Sequence, residues 1–489
     1  MNSIRTALSI CVARLVRFGL RILGKGATTL PGRAALGIQP SLLRSLSENR
    51  DIITITGTNG KTTTTHMISE ALTDMGYAVV TNVSGANMAT GIATSMVEGV
   101  SIEKKSLREG KPVVYVLEVD EASFAKIAKW LAPKIQVVTN LFRDQLDRYG
   151  EITQIRNYIE KGIEETSGRL LLNADDSMVA SLSLGREDRT TFWGMDAEIM
   201  RSNTVTNGDK QMSQENNSDA AYCIRCQGKY EYRARSYGHF GDFFCPSCGF
   251  ERQKPEFSFS FSGSFYDEKT ARELRPSDAG FSVNLRFGGE SHSVRTTVPG
   301  VHNFYNLIAA TAACTFLGEI REDPGLSFCR ICSAMEKTKP AFGRMEKIRA
   351  GDKELCLLLV KNPVGLERTL AFLSEVSDAG AAFFLLNSND ADGRDISWIW
   401  DVDFEARKYP EHVFVSGERY GDMLLRLIYA GVDRENITYA PLEDCGKLVE
   451  QALQCCKPGE CLYILPNYTS MLCLRKILED KYNLQAFWK

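Results

Sequence analysis

Residues 51–65 place glycine, lysine and threonine at spacings that suit phosphate chemistry. The segment reads DIITITGTNGKTTTT, and its β-branched run predicts a strand. Gly57 and Gly60 then allow a tight turn into a helix whose first free N–H groups point at an anion. Lys61 suits β- and γ-phosphate oxygens, and the Thr62 hydroxyl suits Mg²⁺. The segment therefore predicts a phosphate-binding loop, and the alternative is a strand–turn–helix without a ligand.

The loop departs from the most common phosphate-loop spacing. Ile55 stands where the pattern G-x-x-x-x-G-K-[ST] has its first glycine. The compact form GTNGKT resembles instead the ATP loop of the Mur ligase and folylpolyglutamate synthase superfamily, whose members activate a carboxylate as an acyl phosphate. By that resemblance, ATP contacts the consecutive residues Gly57, Thr58, Asn59, Gly60, Lys61, Thr62 and Thr63.

Strands and helices alternate after the loop. Strands are predicted at residues 77–81, 112–119, 135–139 and 169–172, with helical stretches between them. This alternation is typical of a mostly parallel sheet with helices on both faces. In such sheets, ligands bind at the carboxyl ends of the strands.

Three carboxylates follow the strand predicted at 112–119. They are Glu118, Asp120 and Glu121 in the sequence LEVDEAS. A hard cation beside phosphates needs oxygen ligands at such a strand end, so Glu118 joins Thr62 as a predicted Mg²⁺ ligand. Glu118 and Lys61 are the catalytic candidates of this region. Asp120 and Glu121 either support the site or begin a helix as acids, and the second interpretation is favoured for Glu121.

Three further segments resemble elements of the Mur ligase superfamily. TNLFRDQLDRYG at 139–150 matches T-N-x-x-x-D-H-L-D, with Gln145 in place of the histidine that commonly helps to hold a second metal ion. LNADD at 172–176 matches the element that follows the fifth strand. PGVHNFYNLIAATAA, which begins at Pro299, matches a helix that lies near the nucleotide in the superfamily. The nucleotide-binding candidates on that helix are His302, Asn303 and Asn306.

Two cysteine pairs lie in a predicted insertion at residues 201–255. The pattern C-x₂-C-x₁₈-C-x₂-C fits a tetrahedral zinc site, because each pair turns tightly enough to place two thiolates on one ion. With four protein ligands and no open position, the Zn²⁺ is predicted to be structural. A ribbon that reads nucleic acid is the disfavoured alternative, because the surrounding sequence is not clearly basic. The ligands are Cys223, Cys226, Cys245 and Cys248.

A second α/β pattern begins at residue 339. In FGRMEKI, Arg344 resembles the interdomain arginine of Mur ligases that contacts the nucleotide. A strand at 355–360 leads into Lys361, a candidate for charge near the transferred phosphoryl group, although an exposed strand-end lysine is the plain alternative. Residues 390–405, DADGRDISWIWDVDFE, suit a docking surface or site loop. The alternative is a surface helix anchored by Trp398 and Ile399.

Length and composition predict several domains in a reducing compartment. A chain of 489 residues with 44% hydrophobic content supports more than one core. The expected divisions are an N-terminal segment at 1–50, a central domain at 51–338 and a C-terminal domain at 339–489. A net charge of −3 provides no general attraction to nucleic acid, and fourteen cysteines without a secretory leader predict a cytoplasmic protein.

The first 25 residues predict an amphipathic basic helix. Arg14, Arg17 and Arg21 fall at i, i+3 and i+7 and so share one helical face. Two interpretations are equally favoured. Either this cationic face lies on anionic headgroups at the inner face of the cell membrane, or the helix packs on the protein with a solvated basic face.

The combined motifs resemble the ligase subunits of lipid II isoglutaminyl synthase, within the Mur ligase superfamily. The resemblance implies an α/β fold with a phosphate-loop central domain, a Cys₄ zinc-ribbon insertion and a smaller α/β C-terminal domain. It also implies ATP-dependent amidation of the α-carboxylate of D-glutamate in the lipid II stem peptide. The loop begins near residue 57, which leaves no room for the uridine-nucleotide domain of about a hundred residues found in soluble Mur ligases.

The nitrogen source is expected to be a second protein. None of the cysteines lies in a G-x-C-x-G nucleophile elbow, so this chain lacks that route to glutamine hydrolysis. The resemblance implies a GatD-like glutamine amidotransferase as partner. Asp395, and after it Asp401, is the candidate acid that orients the partner's catalytic histidine; either residue could instead cap the following helix. The competing functions are a stand-alone amino-acid ligase of the Mur or folylpolyglutamate type and a zinc-ribbon regulatory ATPase.

Overall fold

A computed structural model describes residues 2–23, 28–82, 85–142, 152–205, 220–236, 238–261, 281–296, 300–338, 344–376 and 378–482. The chain divides into two compact units. The N-terminal unit comprises Met1–Phe142, Ile152–Ser262 and Asp278–Lys339, and the C-terminal unit contains Pro340–Lys489. None of the helices within the described ranges is both long and apolar enough to cross a lipid bilayer.

The N-terminal unit is built on a sheet that has nine strands among the described residues. Its strands are β1 (Ile52–Thr56), β2 (Ala78–Thr81), β3 (Val113–Glu118), β4 (Ile135–Val138), β5 (Arg169–Asn173), β6 (Thr190–Met195), β9 (Phe257–Phe261), β10 (Phe281–Phe287) and β11 (Glu290–Thr296), while β7 (Glu231–Arg235) and β8 (Gly241–Phe244) pair separately. The order across the sheet is β11-β10-β9-β6-β5-β4-β1-β3-β2. All pairs from β2 to β9 are parallel, and β10 and β11 add an antiparallel edge.

Helices of this unit connect the strands. They are α1 (Asn2–Ile22), α2 (Leu30–Ile38), α3 (Leu42–Ser47), α4 (Lys61–Asp74), α5 (Ala89–Glu109), α6 (Glu121–Leu131), α7 (Ile152–Glu164), α8 (Ser177–Ala180), α9 (Ala197–Val205), α10 (Val301–Arg321) and α11 (Phe328–Met335). Short 3₁₀ helices lie at Ser181–Ser183, Glu187–Arg189 and Pro324–Leu326. The predicted mostly parallel α/β sheet is confirmed, and each of the strands predicted at 77–172 ends within one residue of its predicted position.

Strand β1 lies at the centre of the site because of its neighbours. All five of its residues are buried, and it pairs with β3 on one side and β4 on the other. Ile55 lies opposite Glu118 in the register with β3. The carboxyl ends of these strands therefore bring together the glycine turn, the carboxylate segment and the start of the 139–150 segment.

Helix α1 packs against α2 and α5 inside the N-terminal unit. The Arg17 guanidinium pairs with Glu98 at 2.6 Å, and Arg14 Nη2 donates to Ser101 Oγ at 2.7 Å. The structure thus favours the packed interpretation for these two arginines, because their heads are engaged by α5. Arg21 is exposed.

The C-terminal unit has a six-stranded sheet among its described residues. The order is β12-β13-β17-β14-β15-β16, and only the β12–β13 pair is antiparallel. The strands are β12 (Arg344–Ala350), β13 (Lys353–Leu358), β14 (Ala379–Leu385), β15 (His412–Ser416), β16 (Ile437–Tyr439) and β17 (Cys461–Pro466). The helices are α12 (Pro363–Glu375), α13 (Tyr420–Tyr429), α14 (Cys445–Cys455) and α15 (Tyr468–Tyr482), with 3₁₀ helices at Ser397–Asp401, Arg434–Asn436 and Leu442–Asp444.

Residues 390–405 combine features of both interpretations made from the sequence. The 3₁₀ helix Ser397–Asp401 is anchored by Ile399, which is fully buried with Val402 and Phe404 in one core of the C-terminal unit. Trp400, in contrast, is 47% exposed. The segment is therefore a surface loop whose buried apolar residues pack into the core of the C-terminal unit.

Candidate active site

The turn between β1 and α4 requires both of its glycines. Gly57 has φ 121° and Gly60 has φ 84°, in the left-handed region that side chains disfavour. A Cβ atom on Gly57 would lie 2.4 Å from Thr139 Oγ1, and one on Gly60 would lie 2.2 Å from Asn306 Oδ1. Backbone conformation and close packing therefore exclude larger residues at the same two positions.

The end of β4 holds the middle of this turn. Thr58 N–H donates to the Asn140 carbonyl, and Asn59 N–H donates to Asn140 Oδ1, both at 2.8 Å. Thr139 Oγ1 donates to the Asn59 carbonyl at 2.8 Å, and Phe142 N–H donates to Thr58 Oγ1 at 3.0 Å. These hydrogen bonds hold the turn to the segment that follows β4.

Lys61 opens α4 with a buried ammonium group. Its Nζ lies 2.7 Å from Glu121 Oε1 and 3.2 Å from the Thr58 carbonyl, and it also donates to the Gly57 carbonyl. Burial alone would lower the pKa of Lys61, but the charges of Glu121 and Glu118 outweigh burial and raise it. The ammonium group therefore stays charged at the helix start, where it suits a phosphate.

Thr62 and Glu118 lie together, with Asn87 beside them. Thr62 Oγ1 donates to Glu118 Oε2 at 2.8 Å, and Asn87 Nδ2 donates to Glu118 Oε1 at 3.2 Å. Glu118 is 4% exposed. A hydroxyl and a carboxylate form the all-oxygen donor set that Mg²⁺ prefers, so the residues present fit that ion. The sequence analysis did not identify Asn87, which follows β2 without a motif.

The two acids after Glu118 have different structural roles. Asp120 caps α6 by accepting from Ser123 N–H at 3.0 Å, as an acid at a helix start does. Glu121 lies in the first turn of α6, as the sequence favours, and it is also the buried partner of Lys61. The interpretation was incomplete because a residue in the first turn can turn its side chain toward the neighbouring strand's loop.

The predicted residues on α10 adjoin the ATP loop. Asn306 Oδ1 accepts from Thr64 Oγ1 at 3.4 Å, although the two residues are 242 positions apart. Asn306 Nδ2 donates to Asn303 Oδ1 at 3.2 Å, and Asn303 Nδ2 lies 3.1 Å from His302 Nε2. The structure thus forms one polar row from His302 to the loop.

The four predicted zinc ligands converge. Their sulfur atoms all lie within 4.8 Å of one another, with Cys223–Cys248 at 3.6 Å and Cys226–Cys245 at 3.4 Å. Tetrahedral zinc with Zn–S bonds of about 2.3 Å places its sulfurs roughly 3.8 Å apart, so the cluster fits the ion. Burial opposes ionisation of Cys245, but backbone N–H groups of Cys248 and Ser247 lower its pKa to about 7.

The cysteine ribbon, residues 220–252, packs on the wall of the ATP loop. Phe142 contacts His239 and Phe240, with ring centroids 4.7 and 5.2 Å apart. His239 Nε2 lies 3.2 Å from Asp176 Oδ1, and Asp176 Oδ2 accepts from Leu141 N–H at 2.8 Å. Through Phe142, which donates to Thr58, the ribbon supports the turn that follows β1.

The remaining candidates belong to the C-terminal unit. The Lys361 ammonium lies 5.2 Å from the centroid of the Tyr468 ring. Asp395 is exposed and accepts from Ser397 N–H at 2.8 Å, which lowers the pKa of its carboxyl group. Asp401 is exposed at the end of the 3₁₀ helix. Arg344 begins β12, but its side chain lies outside the described part of the structure, as does Gln145.

Comparisons with known proteins cover both units. The model of the Mur ligase middle domain matches residues 55–235, and the MurT ligase C-terminal model matches residues 359–471. The chain is 34% identical over 484 residues to the MurT subunit of the glutamine-hydrolysing lipid II isoglutaminyl synthase of Streptococcus pneumoniae (strain ATCC BAA-255 / R6), which covers 98% of each chain. The corresponding subunit of Staphylococcus aureus (strain COL) is 33% identical over 428 residues, 87% of this chain and 88% of that one.

A solved structure extends the comparison to the fold. A pseudomurein peptide ligase type C from Methanothermus fervidus superposes with a TM-score of 0.61 at 20% identity, covering 90% of this chain and 81% of that chain. The predicted Mur ligase-like α/β fold class, with a cysteine cluster and a C-terminal sheet domain, is confirmed.

Proposed function

The chain belongs to the MurT family of ligase subunits, and from that membership we propose that it is the ATP-dependent ligase subunit of a lipid II isoglutaminyl synthase. It converts the α-carboxylate of D-glutamate in the lipid II stem peptide into an amide. Glutamine is the amide donor, and the ammonia is released by a partner subunit.

The observation that supports this proposal best is a pair of side-chain contacts at the start of α4. Lys61 is held charged by Glu121, and Thr62 lies 2.8 Å from Glu118. The Lys61 ammonium and the N–H groups of the first helical turn bind phosphate oxygens and offset the charge that moves during transfer. Thr62 and Glu118 would hold Mg²⁺, which neutralises phosphate charge when bound.

The reaction proceeds in two steps, phosphorylation of the carboxylate and amidation of the acyl phosphate. An oxygen of the D-glutamate α-carboxylate attacks the γ-phosphorus of ATP, and the bond to ADP breaks, which leaves an acyl phosphate. Ammonia then attacks the acyl carbon, and inorganic phosphate leaves with the original carboxylate oxygen. Hydrogen bonds to Thr139 and Asn140 hold the ATP loop in place during the first step.

A GatD-like glutaminase is the proposed partner. The relatives are described as subunits of a glutamine-hydrolysing enzyme. On this chain, Trp400 and Tyr429 are 47% and 68% exposed and their rings meet at 5.6 Å. Exposed aromatic pairs of this kind suit a protein interface. Asp401 and Asp395 lie on the same short loop and offer an acid to the partner's histidine.

The remaining assignments follow from the same proposal. His302, Asn303, Asn306, Arg344 and Lys361 contact the nucleotide or the transferred phosphoryl group. The cysteine cluster holds a structural Zn²⁺ within the insertion at 201–255, and the domains divide at residues 50 and 338. Because the acceptor is lipid-linked, the protein works in the cytoplasm at the inner face of the membrane.

Isotope transfer tests the mechanism. The acceptor is prepared with heavy oxygen in the α-carboxylate of D-glutamate and is incubated with ATP, ammonia and the purified protein. An acyl phosphate delivers one labelled oxygen to inorganic phosphate for each amide formed. Label that remains entirely in the peptide would contradict the mechanism.

Changing the nitrogen donor separates the competing functions. Amide formation with ammonia, but no product with free amino acids, excludes a stand-alone amino-acid ligase. Phosphate release that is the same with and without the lipid-linked acceptor would instead favour a regulatory ATPase.

A further inference from the structure

Helix α1 carries a row of exposed apolar side chains. The spacing alternates between four and three residues, which keeps the row on one face of the helix. Four of these side chains are at least 66% exposed: Ile4 at 76%, Leu15 at 69%, Phe18 at 66% and Ile22 at 70%. Leu8, at 53%, and the exposed Cys11 complete this apolar stripe.

The opposite face of α1 is the one that packs on the protein. Ser9 and Ala13 are buried there, at 0% and 1% exposure. Arg17 pairs with Glu98, and Thr6 Oγ1 donates to Gln39 Oε1 at 3.0 Å. A surface helix of a globular protein ordinarily keeps its apolar side chains on the inward face, whereas α1 has apolar residues on both faces, with Val16 and Leu20 half-buried beside Ser9 and Ala13. The packing face therefore has its own half-buried apolar residues, and the exposed stripe is a second apolar face that the described part of the chain does not cover.

The charges on α1 indicate what that surface is. The helix contains four arginines and no aspartate or glutamate, while the chain as a whole has a net charge of −3. Arg5 and Arg21 are exposed along with the stripe. An apolar face with cationic neighbours and no acids suits the headgroup region of an anionic bilayer. A helical protein partner would typically be matched by both signs of charge beside the stripe.

We propose that the apolar stripe of α1 inserts into the interfacial region of an anionic membrane, with the exposed arginines at headgroup level. This inference rests on the proposed function to the extent that a lipid-linked acceptor lies in the same surface. It replaces the arginine face with the apolar stripe as the contact surface, because α5 engages Arg14 and Arg17.

Vesicle co-sedimentation of the full-length protein tests the proposal. One set of vesicles contains only phosphatidylcholine, and the other contains about one third phosphatidylglycerol. The wild-type protein is expected to bind the anionic vesicles, and more weakly as salt is raised. The double variant Leu15→Gln/Phe18→Gln should lose at least about tenfold in vesicle affinity. Ile320→Gln, which changes an apolar residue 40% exposed on α10, should bind as wild type does.

The vesicle experiment is combined with two further measurements, the oligomeric state of the protein and its amidation of a soluble acceptor. Equal vesicle binding by the double variant and the wild type overturns the proposal, as does a wild-type dimer that the double variant converts to a monomer, since a second copy would then cover the stripe. Amidation of a short-chain, water-soluble acceptor should be unchanged in the double variant. If the wild type amidates no acceptor yet binds anionic vesicles through the stripe, the proposed function fails while this inference stands.

Discussion

The ATP loop, residues 57–62, and the acidic loop, residues 390–401, differ in how far their charged side chains are exposed to solvent. In the ATP loop, the Lys61 side chain is 13% exposed and its partner Glu121 is 7% exposed. In the acidic loop, Asp395 and Asp401 are exposed to solvent. A buried charge must be paired within the chain, whereas an exposed carboxylate stays hydrated until another molecule takes it up. The charges of the first loop are therefore paired within the chain, whereas the carboxylates of the second face solvent.

Lys61→Ala should have the largest effect, and it acts on the ATP loop alone. Ligation is expected to fall about 1000-fold, because no other group replaces the ammonium charge beside the transferred phosphate. Amide formation with free ammonia measures the loss. Lys126→Ala, which removes an exposed lysine of α6, is the matched control and should leave the rate unchanged.

The same variant also distinguishes the two loops. Glutamine hydrolysis by the reconstituted pair should persist in Lys61→Ala, because the acidic loop is untouched. A folded Lys61→Ala protein that ligates at the wild-type rate would refute the assignment of the ATP loop.

Asp395→Asn and Asp401→Asn address the acidic loop. Loss of the acid that orients the partner's histidine should reduce glutamine hydrolysis about 100-fold in one of the two variants. Ligation driven by free ammonia should be unaffected in both. Asp390→Asn serves as control, since that aspartate is in the same loop and pairs with Arg394 at 2.7 Å.

Complex formation must be checked in each aspartate variant. If both variants assemble with the partner and hydrolyse glutamine at the wild-type rate, the shared-acid idea is wrong. A loss restricted to one variant identifies the residue.

Glu121→Gln tests whether burial is the real difference between the loops. Removing the carboxylate takes away the larger of the two charges that offset the burial of the Lys61 ammonium, Glu118 being the other, which should destabilise the N-terminal unit by about 3 kcal/mol. Asp395→Asn should cost far less stability, because its carboxylate is exposed and the asparagine side-chain oxygen still accepts from Ser397 N–H. Hydrogen exchange at β1 and α4 amides measures the opening free energy.

Glu319→Gln, an exposed glutamate of α10, is the control for Glu121→Gln. A loss no greater in Glu121→Gln than in Glu319→Gln would show that Lys61 finds other partners within the ATP loop. The difference between the ATP loop and the acidic loop would then need an explanation other than the burial of their charges.

Local spacing explains what could be predicted from the sequence. The glycine turn, Lys61 and the two cysteine pairs depend on residues a few positions apart, so their pattern is visible in the chain. Asn87 could not be found this way, because its bond to Glu118 joins residues 31 positions apart and depends on how β2 and β3 pair.

The role of Glu121 was missed for a related reason. At the start of a helix, an acid looks the same whether it stabilises the helix dipole or pairs with a lysine. Only the parallel register of β1 and β3, which puts Ile55 opposite Glu118, brings the start of α6 to Lys61. The antiparallel edge formed by β10 and β11 likewise carries no phosphate motif and was not predicted from the sequence.

Cys226→Ser should have the smallest effect on catalysis, and it tests what holds the ATP loop in place. Loss of one thiolate should release zinc and loosen the ribbon locally. The ribbon contacts the segment behind the loop, where His239 and Phe240 pack on Phe142 and His239 pairs with Asp176, so the KM for ATP should rise about threefold with little change in kcat. Elemental analysis measures the zinc content, and steady-state kinetics measure KM and kcat.

Cys329→Ser changes an exposed cysteine outside the cluster, so this control variant should retain zinc and normal kinetics. A folded, active wild-type protein without zinc would refute the metal assignment, and a kcat loss as large as that of Lys61→Ala would mean that the ribbon belongs to the reacting site itself.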